Sequence, residues 1–148
     1  MTYTLQHLEN EEAFAASFAL MRVLRPHLVD PAAYAAQLAR QARQGYRLLA
    51  AWSAEQVVGL AGYRELENLL YGRFIYVDDL VVSPGLQRSG LGGRLLSAVR
   101  DEAVLRGCDH FVLDTGLHMP LAQRFYFRQG LLARGMHFTQ SLRQEESA

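Results

Sequence analysis

The chain has 148 residues, half of them apolar and a fifth charged, with 15 basic side chains balanced by 15 acidic ones. That length suits one ordinary domain able to bury roughly two-thirds of its unfolded surface, and the composition excludes a disordered segment. Zero net charge excludes a nucleic-acid binder working through a strongly basic face, and a single Cys108 excludes an internal disulfide or a cysteine–histidine zinc site.

The opening Met1–Glu12 stretch carries acids and no sustained apolar run, so it does not read as a signal peptide, although Tyr3-Thr4-Leu5 suits an edge strand. From Glu11 to Leu24 apolar residues recur at helical spacing (Phe14, Phe18, Met21), and Pro26 closes the pattern. Asp30-Pro31 is an N-cap followed by a first-turn proline, predicting a second helix that runs to Gly45. Strands are expected over 46–52 and 56–65, joined by the polar turn Ser53-Ala54-Glu55. Arg73 to Val82 is β-branched and aromatic throughout, a strand buried on both faces, and Ser83-Pro84-Gly85 ends it. A glycine-rich turn leads into a helix from about Leu91 to Arg106, with Leu91, Leu95, Val99 and Ala103 on one stripe and Gly107 as its stop. His110–Asp114 reads as a strand, Met119–Gln129 as a short helix, and Leu131 to Leu142 as one or two closing strands. No stretch reaches the ~18 apolar residues of a membrane span. The expectation is a single soluble domain over 1–148, cytoplasmic, with a mixed α/β sheet, helices on both faces and a parallel strand–helix–strand unit.

Gln87-Arg88-Ser89-Gly90-Leu91-Gly92-Gly93-Arg94 lies where a strand ends and a helix begins. The first N–H groups of a helix lack intrahelical partners and, with the helix dipole, favour an anion. Gly90 and Gly92 let the backbone approach a bulky anion closely, and Arg88 and Arg94 can add charge-assisted contacts. All 15 basic residues are arginine, so a P-loop, which needs GxxxxGK[ST], is excluded. A dinucleotide fingerprint fits poorly, because Leu95 stands at its third glycine and the turn Ser83–Ser89 is too long. The pattern Q/R-x-x-G-x-G/A is matched in full. Charge leans the same way: up to Asp79 there are 7 Arg against 9 acids, and beyond it 8 Arg against 6, which suits an anionic ligand held by the second half.

With Leu80-Val81-Val82-Ser83-Pro84 before this turn and Ala122-Gln123-Arg124-Phe125-Tyr126-Phe127-Arg128-Gln129-Gly130-Leu131 after it, the stretch from Tyr76 to Leu131 resembles the core of the Gcn5-related N-acetyltransferase (GNAT) family. The resemblance implies a mixed, mostly antiparallel twisted sheet of about 6–7 strands with a central parallel pair. It also implies acetyl-CoA as donor, no metal, and an amine of a small molecule or peptide as acceptor. The pantetheine arm would pair with the main chain of Leu80, Val81 and Val82, and the turn from Gln87 through Arg88, Ser89, Gly90, Leu91, Gly92 and Gly93 to Arg94 would cradle the pyrophosphate. Tyr126 falls at the family's thiolate partner, and a phenol with a pKa of ~10 is protonated at neutral pH and can donate. Asp78 and Asp79 are the candidate bases, Asp78 slightly favoured. Neighbouring strand residues point to opposite faces, so at most one faces the acceptor unless a bulge re-aims the other.

The chain departs from many relatives in carrying Met119, preceded by His118, where they have asparagine or arginine. His118 as a second proton relay is the lesser reading beside a structural one. Glu65 and Glu67 near the acid pair favour a cationic amine, and acceptor walls are expected from the first-helix region and the Leu66–Gly72 loop. Cys108, at the rear of its strand, argues for direct transfer in a ternary complex. A fold that binds acyl-CoA without turnover is the alternative, and the resemblance admits a homodimer through the closing strands.

Overall fold

The computed structural model describes residues 2–143. The chain divides into two compact units, one ending at Leu113 and the other beginning at Asp114. The first unit runs β1 (Thr4–Leu8), α1 (Glu11–Ala15), α2 (Phe18–Leu24), α3 (Pro31–Arg43), β2 (Arg47–Ser53), β3 (Gln56–Asn68), β4 (Gly72–Val82), a 3-10 turn at Pro84–Leu86, α4 (Leu91–Leu105) and β5 (His110–Leu113). The five strands form one sheet in sequence order, antiparallel except for the parallel β4–β5 pair.

Local chemistry accounts for most boundaries. Asn10 caps α1 by accepting from the Ala13 N–H, and Asp30 caps α3 by accepting from the Ala32 N–H beside a first-turn proline. Gly45 and Gly107 end α3 and α4 at positive φ. The single helix expected over 11–24 is instead two. Ser17 Oγ donates to the Phe14 carbonyl at 2.7 Å and meets the Tyr34 hydroxyl at 2.6 Å, so a side chain competes with the helical ladder and the chain turns there.

The sheet carries helices on both faces. Leu48, Ala50 and Leu60 join Phe14, Leu20, Met21, Tyr34 and Leu38 in one buried cluster on the α1–α3 face. On the opposite face a Cβ at Gly59 would press on Leu91 and Leu95 of α4. Alternation along β2 and β3 delivers these two sets.

Two expectations need correction. The sheet has five strands among the described residues, not six or seven, and its parallel pair is therefore at the edge, not the centre. Residues 131–143 contain no strand. Their alternating apolar side chains, Leu132, Met136, Phe138 and Leu142, are exposed, and an amphipathic pattern becomes a strand only where a ladder and a buried face receive it. The expected Leu66–Gly72 loop is also shorter, since β3 continues to Asn68 and only three residues turn into β4. The second unit contains α5 (Pro120–Arg128), which ends at Gly130 with φ +91°. Among the described residues no helix is long and apolar enough to cross a membrane.

Candidate functional site

β4 organises the site. Its ladder with β5 stops at Val77 opposite Leu113, yet β4 continues to Val82. Ser83 N–H donates to the Val58 carbonyl at 2.8 Å. Main-chain groups alternate sides along a strand, so Val81 also turns its N–H and C=O toward β3. Leu80 and Val82 therefore turn theirs toward the edge where the ladder has ended. The departure coincides with a β-bulge. Gly62 opposes Asp79 and Tyr63 opposes Val77, which leaves Asp78 as the extra residue.

Beyond β4 the turn is built for close approach. Gly90 caps α4 at φ +86° without a side-chain cap, and Arg88 itself sits at φ +70°. The first intrahelical bond runs from Arg94 N–H to the Gly90 carbonyl at 3.1 Å. The N–H groups of Gly92 and Gly93 precede it and so have no acceptor within the helix. Leu91 N–H is held by Ser89 Oγ at 3.3 Å. Gln87, Arg88, Ser89 and Gly90 are exposed. The Arg94 guanidinium lies over the Tyr3 ring, 6.0 Å from its centroid.

The acid pair is differently situated. Arg64 grips Asp78 through both carboxylate oxygens, at 2.8 and 2.9 Å. Asp79 Oδ1 accepts from Arg25 Nε and Nη2 at 3.2 and 3.0 Å, and its Oδ2 accepts from the Tyr46 hydroxyl at 2.8 Å. Arg25 Nη2 also reaches the Asp78 carbonyl at 2.9 Å, tying the bulge to the end of α2. Burial pushes the Asp78 carboxyl above its ordinary value, against the pull of Arg64. Burial and the neighbouring Asp79 carboxylate push the Tyr46 phenol well above its own. Asp79 lines a recess of about 140 Å³ with Met21, Arg25, Tyr34, Gln37 and Gln41. Glu65 is not open either, since Arg73 and Arg106 stand 3.4 and 3.3 Å from its oxygens.

Tyr126 belongs to the second unit, on α5. It is half-buried, which raises its phenol further above the neutral range, and its ring meets Phe125 edge-on at 5.3 Å between centroids. The His118 imidazole fills the space a Cβ on Gly116 would need, while Gln123 Nε2 donates to the carbonyls of Gly116 and Leu117. Among the described residues no three His, Cys, Asp or Glu side chains converge as metal ligands.

Arg25, Arg64 and Tyr46 were not foreseen from the sequence. Each meets the acid pair from a distant stretch of chain, and no local pattern marks it. Arg64 stands opposite Tyr76 and reaches the bulged Asp78 diagonally, 14 positions on, so an opposite-charge pair across one hairpin is the one available signal.

Comparison with known proteins decides the family: residues 5–131 match the profile of the Acetyltransferase (GNAT) family. The chain belongs to that family. This GNAT-family chain is 30% identical over 88 residues to the aminoalkylphosphonate N-acetyltransferase of Salmonella typhimurium, a match covering 59% of this chain and 57% of that relative's length. Similar solved structures include an acetyltransferase of Trypanosoma brucei, with TM-score 0.80 and 21% identity over 95% of this chain and 100% of the other. Another is the aminoglycoside N-acetyltransferase AAC(6')-Iy in complex with CoA, with TM-score 0.82 and 16% identity over 95% of each chain. At these identities the structural likeness shows a shared fold.

Proposed function

We propose that this chain moves an acetyl group from acetyl-CoA to a primary amine of a small molecule or peptide by direct attack in a ternary complex. The observation that carries the reading is the open edge of β4 at Leu80–Val82, leading directly into a glycine turn with unpaired amides at the start of α4. A thioester arm needs main-chain partners and a diphosphate needs converging N–H groups without intervening Cβ atoms. This edge and turn offer both, in that order. Leu80 and Val82 would hold the arm, with Val81 between them, and Gln87, Arg88, Ser89, Gly90, Leu91, Gly92, Gly93 and Arg94 the diphosphate. Bound there, acetyl-CoA supplies a thioester carbonyl for attack.

The chain's own groups then handle two protons. An acceptor ammonium must lose one before its nitrogen attacks, and a carboxylate of the acid pair receives it through water. Both acids have their oxygens engaged, and Asp79 suits this better than Asp78 because it is the one that lines the recess. As the C–N bond forms and the C–S bond breaks, the departing sulfur takes a proton from Tyr126, the role its place in the family motif suggests, and the second proton shed by the acylated nitrogen returns through water to the phenolate.

One observation favours a narrower acceptor class. The carboxylates that suggested a cationic amine are largely paired with arginine, and the recess instead presents a half-exposed Arg25 beside Asp79. An amine that also bears an acidic group would find a partner for each end, and the Salmonella typhimurium relative is named for aminoalkylphosphonates.

CoA thiol release over a panel of polyamines, amino acids, aminosugars, aminoalkylphosphonates and peptide N-termini tests the reading. Release is expected with at least one acceptor, and Tyr126→Phe should lower kcat by about 10–100-fold while acetyl-CoA affinity holds. Saturable acetyl-CoA binding with no CoA formed from any acceptor overturns transfer and leaves an acyl-CoA-binding module. An unchanged kcat in Tyr126→Phe removes that residue from the chemistry.

A further inference from the structure

Tyr46 is 2% exposed, yet its hydroxyl does not pack against apolar side chains alone: it donates to Asp79 Oδ2. Space for it comes from a missing side chain. A Cβ at Gly62 would overlap the Tyr46 hydroxyl and crowd its ring. Gly62 is also the residue paired with Asp79, on the near side of the bulge. One strand thus gives up a side chain so that a phenol from the start of β2 can pass over it to the carboxylate on the next strand.

We propose that Tyr46 is a positioning residue for acetyl transfer, its buried hydroxyl holding the Asp79 carboxylate in the orientation that faces the acceptor recess. The inference rests on the assignment of Asp79 to the acceptor amine. Arg25 fixes Oδ1 from one side, and Tyr46 fixes Oδ2 from the other. With only Arg25 the carboxylate can rotate about its own bond and follow the half-exposed guanidinium. With both donors it has one orientation. The groups that surround it are Arg25 after α2, His27 in the recess, Tyr34 on α3, Arg64 on β3 and Asp78 beside it on β4. Tyr46 stays protonated across the neutral range because burial and that carboxylate oppose its ionisation, so the donor is permanent. Removing it leaves Asp79 Oδ2 without its phenol donor, so the carboxylate is held from the Arg25 side alone.

The test compares wild type, Tyr46→Phe, Asp79→Asn and the double variant, using the best acceptor from the amine panel. Tyr46→Phe is expected to lower kcat/KM for the amine roughly tenfold and to leave KM for acetyl-CoA unchanged. In the Asp79→Asn background the same substitution should have no further effect on kcat/KM, which is the signature of one residue acting through the other. A lower melting temperature in Tyr46→Phe with kcat/KM for the amine unchanged overturns the proposal, because a purely structural phenol would give that result. Full activity in Asp79→Asn overturns the assignment of Asp79 itself, and with it the role of Tyr46. A fall of the same factor when Tyr46→Phe is added to Asp79→Asn overturns the proposal while leaving Asp79 in place. No CoA release by the wild type overturns both readings.

Discussion

The turn at Gln87–Arg94 and the acid pair at Asp78–Asp79 sit a few residues apart on one stretch of chain and are built on opposite plans. In the turn the interacting groups are main-chain amides, left without partners by the geometry of a helix start and uncovered by glycine. In the acid pair they are side chains, and each is already engaged by another side chain from elsewhere in the fold. An anion can enter the first region without displacing protein contacts. Under the proposed function an acceptor at the second would share Asp79 with Arg25 and Tyr46, so that region would select by competition where the other would simply receive.

The substitution that breaks this contrast most sharply is Gly92→Asp. An aspartate in the first turn of α4 interacts favourably with the helix dipole, so thermal stability should hold or rise slightly, by about 0.3–1 kcal/mol. The same carboxylate would stand at the proposed diphosphate site, and two like charges about 4 Å apart oppose each other by several kcal/mol even when screened to an effective dielectric of ~20. Acetyl-CoA affinity should fall by about 100-fold or more. Titration calorimetry and a melting curve on the same sample check both halves. Retained affinity would place the diphosphate elsewhere.

The two plans also differ in how far the sequence exposes them. The turn is local, and its glycines, its place between strand and helix and the following apolar stripe all lie within twenty residues. The helix cap at Asp30 and the stops at Gly45 and Gly107 are legible for the same reason. The acid pair is legible only as two adjacent letters. Its meaning depends on Arg25 and Tyr46, which are 54 and 33 positions from Asp79, and on a bulge that exists only once β3 and β4 are in register. The break in the first helix escapes notice likewise, because Ser17 is engaged by Tyr34 across a turn not yet folded. The alternation at Leu131–Leu142 misleads in the other direction: it has the strand period without the ladder.

A smaller effect sharpens the comparison from the acidic side. Arg64→Met keeps most of the aliphatic volume and removes both hydrogen bonds to Asp78, together with a guanidinium lying 5.5 Å from the Tyr76 ring centroid. Breaking a fully buried pair costs about 3–5 kcal/mol. Here the Arg64 side chain is 36% exposed and Asp78 22%, so water shares the load and about 1–2 kcal/mol is expected in urea denaturation. Acetyl-CoA affinity should not move, since no residue of the turn is touched. A loss of affinity equal to that of Gly92→Asp would show that the two regions are one cooperative unit and that the contrast is false.

The smallest expected effect is read at Asp78 by pH. Burial is the largest influence on Asp78 and raises its pKa above the ordinary 3.8. The folded protein therefore binds its proton more readily than the unfolded chain does. Where the folded state holds more protons, stability falls as pH rises. The contribution of Asp78 is thus fully present below the unfolded value near 3.8 and is lost as pH climbs through the higher folded value. Asp78→Asn has no proton to lose, so its stability relative to wild type should improve across that acidic window and level off above it. Arg64 stays charged throughout and only sets a constant offset. Chemical denaturation at several pH values between 3 and 7 reads the slope. A flat difference would mean that Arg64 offsets burial fully at Asp78, and that side-chain pairing there leaves no more trace in the pH dependence than the main-chain amides of the turn do.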